Sequence, residues 1–282
     1  FFQAEDGIRD RSPSRGLGDV YKRQNIDNPF GKSISENISK SIDKLDVSLE
    51  SSNKSEALIN GSILQHDNNG LIIDIKSDFG HGQIKSPLIG KFNAENLLLS
   101  LGILLSEGFQ LDNIINALQF IPLPSGRMQS INGYGEQKII IDYAHTPDGL
   151  ENSLRTIKEI YRGKVCVVFG CGGDRDNKKR PLMGTMAEKY ADEIIITDDN
   201  PRSESPKNIM NDILNGIHDK KRTQIISDRY EAILYALKAS SYNDIVLISG
   251  KGHEEKQIYS TKEYDFSDRR CVDCLLYTSD AA

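Results

Sequence analysis

The sequence predicts an α/β protein in which a mostly parallel sheet is covered by helices and preceded by part of a second unit. Three observations carry this. From Lys138 onward, short apolar, β-branched runs alternate with helical periods, the pattern of strands buried on both faces. Two helix starts are marked by a hydroxyl residue followed by proline, at Thr146-Pro147 and Ser205-Pro206. Polar clusters follow four of the apolar runs, beyond the carboxyl ends of strands, where ligands bind in such sheets.

The termini are set aside from the fold. Residues 1–24 and 272–282 show no helical or strand period and resemble translated sequencing-adaptor DNA. On that reading the chain is an internal piece of a longer gene. Residues 25 to about 55 are polar with weak periodicity. Strands are expected at 57–64 and 71–75, joined by Asp67-Asn68-Asn69-Gly70, whose Asn and Gly tolerate positive φ. Another strand is expected at 82–88, with helices over 93–106 and 111–119. Gly108 stops the first helix, and Pro122 and Pro124 break the chain. The boundary is placed at about residue 123, giving domains 25–122 and 123–271. The second contains strands at 138–141, 164–169, 193–197, 223–226 and 244–249. Its helices follow Thr146-Pro147 and Ser205-Pro206, span 181–190, and start at Asp228.

Composition narrows the function. A net charge of -6 lacks the basic field of a general nucleic-acid or membrane-surface binder. No apolar run approaches the ~20 residues that cross a bilayer. Cys166 lies inside an apolar strand, as a reduced thiol would. Cys271-x-x-Cys274 has redox or metal spacing but straddles the edge of the set-aside tail, so the chain reads as cytoplasmic. The histidines show no metal-ligand spacing.

Each polar cluster has competing readings. Gly170-x-Gly172-Gly173 after a strand invites a dinucleotide site, but Arg175 stands where that fingerprint needs glycine. A glycine-rich turn followed by a solvated charge run, 174–180, is the plainer alternative. Gly31-Lys32-Ser33 mimics the end of a phosphate loop, yet Ile26 replaces the first glycine and no strand is predicted before it. His145 has an unperturbed pKa of about 6.5, but beside Tyr143 and Pro147 it is expected to pack and hydrogen-bond. Asn93 or Asn96 could simply cap a helix. Arg127 and Arg202 could be surface arginines.

Taken together, Asp142-Tyr143-Ala144-His145-Thr146-Pro147-Asp148, Gly170-Cys171-Gly172-Gly173-Asp174-Arg175-Asp176, Thr197-Asp198-Asp199-Asn200-Pro201-Arg202 and Gly250-Lys251-Gly252-His253-Glu254 resemble the C-terminal domain of the Mur ligases of peptidoglycan synthesis. Asn200-Pro201-Arg202 resembles the branch that adds meso-diaminopimelate. Gly90-Lys91-Phe92-Asn93-Ala94-Glu95-Asn96 resembles the element closing the family's central ATP-binding domain. Gly126-Arg127-Met128 resembles the first turn of its C-terminal domain, and 264–269 its closing strand. The resemblance runs from about Asn25 to Cys271 and is densest from Gly126 to Arg269.

It implies a Rossmann-like C-terminal domain after the end of the ATP-binding domain. Asn93 and Asn96 would reach the adenine, Arg127 the nucleotide, and Asp142 and His145 the ribose and phosphate side. Arg175 would take one carboxylate of the amino acid. Arg202, in the Asp199-Asn200-Pro201-Arg202 run, would take the distal one, because its planar fork matches a carboxylate. Asn200, the Gly250 carbonyl and Glu254 would receive the distal ammonium. The implied activity is ATP-dependent joining of meso-diaminopimelate to UDP-N-acetylmuramoyl-L-alanyl-D-glutamate through an acyl phosphate, by a monomer. The phosphate loop and main Mg2+ ligands would lie upstream of Asn25, so these residues alone are expected to be inactive. No catalytic side chain or metal ligand is assigned here. The rivals are a lysine-adding sister ligase, a dinucleotide oxidoreductase and a non-catalytic binding protein.

Overall fold

The apolar runs of the second half become neighbouring strands of one sheet, as their burial requires. The computed structural model describes residues 21–38, 43–50, 57–133 and 137–280. The chain divides into two units, one ending at Pro122 and the other starting at Leu123.

The first unit holds a five-stranded sheet ordered β1 (Tyr21–Asn25), β2 (Asp43–Ser48), β3 (Ile59–Asp67), β4 (Gly70–Ser77) and β5 (Gly80–Ser86). The first three strands pair in parallel and the last three antiparallel. Gly70 has φ of 124° where the β3–β4 hairpin turns, a conformation that suits glycine. Helices α1 (Pro29–Asn37), α2 (Lys91–Ser106) and α3 (Leu111–Leu118) complete the unit. Leu97, Leu98, Leu101 and Leu105 of α2 share a face and bury against Ile59, Ile73, Ile75 and Ile84.

Residues 25 to about 55 show only weak periodicity in sequence, yet the described part of this stretch is regular. It forms β1, α1 and β2, with Ile26, Leu45 and Val47 buried. Their few apolar positions gain meaning only beside β3 and α2, so the signal is tertiary. β1 includes Tyr21–Gln24, part of the set-aside segment, whose residues 1–20 lie outside the described residues. A strand therefore does precede Gly31-Lys32-Ser33, although α1 is capped by Asn28 and Ile26 still occupies the first-glycine place.

The second unit contains β6 (Gln129–Asn132), β7 (Lys138–Asp142), α4 (Pro147–Ile160), β8 (Val165–Phe169), α5 (Lys179–Tyr190), β9 (Glu193–Ile196), α6 (Pro206–Leu214), β10 (Thr223–Ile225), α7 (Arg229–Ala239) and β11 (Ile245–Ser249). After these come a hairpin, β12 (Lys256–Tyr259) and β13 (Lys262–Asp265), and the helix α8 (Asp268–Asp280). The sheet order is β10-β9-β8-β11-β7-β6, parallel except for the edge strand β6. Every residue of β8 and β11 is buried, as a central parallel strand covered on both faces must be.

Thr146 caps α4 by accepting from Gly149 N, and Asp228 caps α7 by accepting from Glu231 N. Ser205 precedes the proline of α6 but makes no side-chain capping bond. α8 corrects the expectation for the tail. Cys271, Val272 and Leu275 are buried at helical spacing in the cluster that holds Ile233, Ala236 and Leu237. Among the described residues, no helix is long and apolar enough to cross a membrane.

Candidate functional site

The four polar clusters leave the carboxyl ends of β7, β8, β9 and β11 on one rim of the second unit's sheet. The register aligns these ends, with Ser249 beside Asp142 and Phe169 beside Ile196. Glycines let the loops touch. A Cβ on Gly170 would lie 2.2 Å from the Thr197 carbonyl oxygen, and one on Gly173 would lie 1.8 Å from that of Pro201. Gly126, with φ of 62°, abuts the backbone of Gly252 and His253 in the same way. The glycine-rich turn after β8 thus serves contact with the loop after β9. That need accounts for its composition without a dinucleotide.

Asn200, Lys251 and Glu254 form one hydrogen-bonded cluster. Asn200 Oδ1 accepts from Ile258 N at 3.0 Å and from Lys251 Nζ at 3.1 Å. Asn200 Nδ2 donates to Glu254 Oε2 at 2.9 Å, and Lys251 Nζ also donates to Glu254 Oε2 and the Lys256 carbonyl. A backbone N–H must meet an oxygen, so the amide orientation is fixed. Asn200 was expected beside the distal ammonium of an amino acid; here the ammonium that it accepts from is that of Lys251. The Asn200 oxygen is filled, and one Nδ2–H is what it can still offer. Asp199 is buried beside Gly250, where a Cβ would lie 2.6 Å from Asp199 Oδ2. Burial holds its pKa above the ordinary carboxylate value, opposed by the charges of Arg229 and Lys251.

Arg202 has φ of 52° and donates through Nη1 to the Gly173 carbonyl at 2.7 Å. That bond anchors the guanidinium and leaves its Nε–Nη2 edge for a planar partner. Arg175 lies on the facing loop, with its Cγ 3.7 Å from the position a Gly172 Cβ would take; Arg202 Nη1 lies 2.9 Å from the same position. The Arg202 guanidinium and the Arg175 side-chain stem therefore both come against Gly172.

A second cluster gathers around Tyr143. Arg127 stacks over its ring at 4.5 Å, and the rings of His145 and His253 lie 4.7 and 5.3 Å away. His145 is exposed, with Nδ1 2.8 Å from the Tyr143 carbonyl. Asp142 is buried; its Oδ1 accepts from Met128 N and its Oδ2 from Ser153 Oγ. It ties the 126–128 turn to α4 and does not open toward a ligand as expected. In the first unit, neither Asn93 nor Asn96 caps α2, whose N-cap is Gly90. Asn93 Nδ2 donates to Ile89 O and its Oδ1 accepts from Asn96 Nδ2, which leaves the Asn96 oxygen for other donors.

Several residues escaped the sequence reading. Lys251 is fully buried, and Arg180 is the buried member of the 174–180 charge run, which one of the alternative readings left in solvent. Arg180, Met183, Gly184 and Ala187 share the buried face of α5, a helical spacing that could have found it. Arg229 and Asp268 form a fully buried ion pair at 2.7 Å. Arg229 also donates to the carbonyls of Asp198 and Ser249, at the ends of β9 and β11. Among the described residues, no group of three or more His, Cys, Asp or Glu could hold a metal ion.

Comparison with known proteins agrees with this arrangement. A family model for the Mur ligase middle domain matches residues 11–104, starting inside the segment set aside at 1–24. A model described as Mur ligase, glutamate ligase domain, matches residues 126–252. The UDP-N-acetylmuramoyl-L-alanyl-D-glutamate–2,6-diaminopimelate ligase of Buchnera aphidicola subsp. Acyrthosiphon pisum (strain APS) is 47% identical over 218 residues, covering 77% of this chain and 44% of that protein. The ligase of the same name from Buchnera aphidicola subsp. Baizongia pistaciae (strain Bp) is 44% identical, over 72% of this chain and 40% of its own length. A solved structure of a ligase of this name superposes with a TM-score of 0.63 at 34% identity, covering 92% of this chain and 53% of that one. The chain spans less than half the length of the two curated relatives. With both domain models matched in order and this fold, the chain belongs to the Mur ligase family.

Proposed function

We propose that this chain is the amino-acid-delivering part of an ATP-dependent ligase that joins meso-diaminopimelate to UDP-N-acetylmuramoyl-L-alanyl-D-glutamate in peptidoglycan synthesis. The observation that carries this is that Arg175 and Arg202, from neighbouring loops, both come against Gly172 on a rim that also holds Asp199 and Glu254. Two arginines toward one side, and the carboxylates of Asp199 and Glu254 with Lys251 beside Glu254 toward the other, suit an amino acid with two carboxylates and two ammonium groups. The free edge of Arg202 would take the distal carboxylate bidentately, with the open Nδ2–H of Asn200 beside it. Asp199, Glu254 and the Gly250 carbonyl would receive the distal ammonium. Lysine would leave the Nε–Nη2 edge of Arg202 without its carboxylate, at a loss of about 1–3 kcal/mol.

ATP, when bound, supplies the phosphoryl group that activates the peptide carboxylate for displacement by the amine. Within the second unit the Arg127–Tyr143–His145 cluster fits a nucleotide by stacking and hydrogen bonding; within the first unit the Asn96 oxygen is a separate group that can accept from one. Asp142 would act on that cluster from behind, by holding the Arg127 turn. Magnesium, which the family implies, is assigned to no residue of this chain. The 282 residues contain no phosphate-loop match and should release no phosphate from ATP when assayed by themselves. A product acting on nucleotide-linked precursors would work in the cytoplasm.

The test is a phosphate-release assay on the longer gene product with each amino acid in turn. Turnover is expected with meso-diaminopimelate, at least tenfold better in kcat/KM than with L-lysine, and Arg202→Met should abolish the preference. Equal use of lysine by the unsubstituted protein would overturn the reading.

A further inference from the structure

Arg180 lies 22 positions before Arg202 in sequence, yet it joins the two loops that carry Arg175 and Arg202. Its side chain is 3% exposed, which places it behind the rim and out of reach of a ligand. Nη2 donates to Glu204 Oε1 at 2.8 Å and Nη1 to Glu204 Oε2 at 2.9 Å, a two-pronged grip. Nη1 also meets Asp212 Oδ2 at 2.9 Å, and Nη2 lies 3.4 Å from the Gly172 carbonyl. Glu204 is shared between the loops, because its Oε1 also accepts from Asp174 N at 2.5 Å. Asp174 in turn accepts from Ser203 Oγ at 2.6 Å and Ser203 N at 3.2 Å. Gly173 N donates to the Asn200 carbonyl at 2.9 Å.

The residues beside and within this clasp have unusual backbones. Asp174, directly before Arg175, has φ of 56°, and Arg202 has φ of 52°. Non-glycine residues hold such conformations only where their surroundings over-determine them. The clasp supplies that constraint on both loops at once. Arg180 Nε is buried without a hydrogen-bond partner, so the guanidinium is set by its carboxylates and not by full satisfaction.

We infer that Arg180 is a positioning residue: by gripping Glu204 it locks the loop after β8 to the loop after β9. The lock fixes the separation of Arg175 and Arg202 and so the length of the two-carboxylate amino acid that fits between them. This rests on the proposed reading of the site for the ligand, while the lock itself can be measured without one.

Two measurements separate the ideas. In the 282-residue chain, amide hydrogen exchange of Gly173 and Asp174 should accelerate at least tenfold in Arg180→Met. Arg180→Lys should recover part of the protection, because it keeps one charged bond to Glu204. In the longer gene product, Arg180→Met and Glu204→Gln should raise KM for meso-diaminopimelate at least tenfold. KM for ATP and for the nucleotide dipeptide, and kcat, should stay within about twofold. Unchanged exchange and unchanged KM in folded variants would overturn the inference. Uniform loss of every kinetic parameter with lowered Tm would also overturn it, since that marks a structural role only. If exchange accelerates but the unsubstituted protein ignores diaminopimelate, the lock stands and the assignment of the amino acid falls.

Discussion

Breaking the Arg229–Asp268 pair tests how the rim is held from beneath. Both side chains are 0% exposed, joined at 2.7 and 2.9 Å, and Arg229 reaches on to the Ser249 carbonyl at 3.0 Å. Asp268→Leu leaves the guanidinium buried without its counter-charge, for which about 3–5 kcal/mol is the usual loss. A unit of this size loses about 2–4 °C of Tm per kcal/mol, so a fall of roughly 6–20 °C is expected. Arg229→Met should behave alike. The double variant should be less destabilised than the sum of the two by about 2 kcal/mol or more, since an apolar pair of similar volume often replaces a buried ion pair at little loss. Denaturant titration of the 282-residue chain followed by circular dichroism would read this. Only the transition of the second unit should move. A loss under about 1 kcal/mol for Asp268→Leu, or strict additivity, would refute the reasoning.

Two further predictions follow from buried titratable groups. Burial pushes the thiols of Cys166, Cys171 and Cys271 up to about 12, whereas Cys274 is exposed on α8. At pH 8 a disulfide reagent should therefore titrate Cys274 first in the native chain, the half-buried Cys171 more slowly, and the buried Cys166 and Cys271 only on unfolding; fast reaction of Cys271 would mean that α8 is not docked. Burial also holds Asp199 above its ordinary pKa, so its ionisation opposes folding once the pH rises through the unfolded value toward the folded one. Asp199→Asn should then stabilise the protein at pH 7, lose that gain below the ordinary aspartate pKa, and weaken diaminopimelate binding. Destabilisation at pH 7 would contradict the sign.

Much of the site was legible because its signals are local. The loops at Asp142, Gly170, Thr197 and Gly250 are marked by an apolar run ending in glycine and charge, and a parallel sheet brings such endings to one rim. The caps at Thr146 and Asp228 were equally local. The glycine spacing after β8 was ambiguous in sequence and became plain only when Gly173 was seen against the Pro201 carbonyl. Arg180 was hidden because a charge run looks the same whether its members face water or a buried carboxylate; the helix phase of α5 decides.

By itself, the sequence determined the α/β alternation, the strand ends that carry polar residues, and the likeness in wording to the Mur ligases. These depend on periods of two and 3.6 residues and on short motifs, which neighbouring residues specify. Tertiary structure alone decided that β1, α1 and β2 are regular and that α8 docks through Cys271, Val272 and Leu275. It also decided which way the Asn200 amide points. Those outcomes rest on partners far away in the chain: Ile258 N is 58 residues from Asn200, and Asp268 is 39 from Arg229. A hydrogen bond or buried face between such distant segments leaves no period in the sequence, because only the folded chain brings its two halves together.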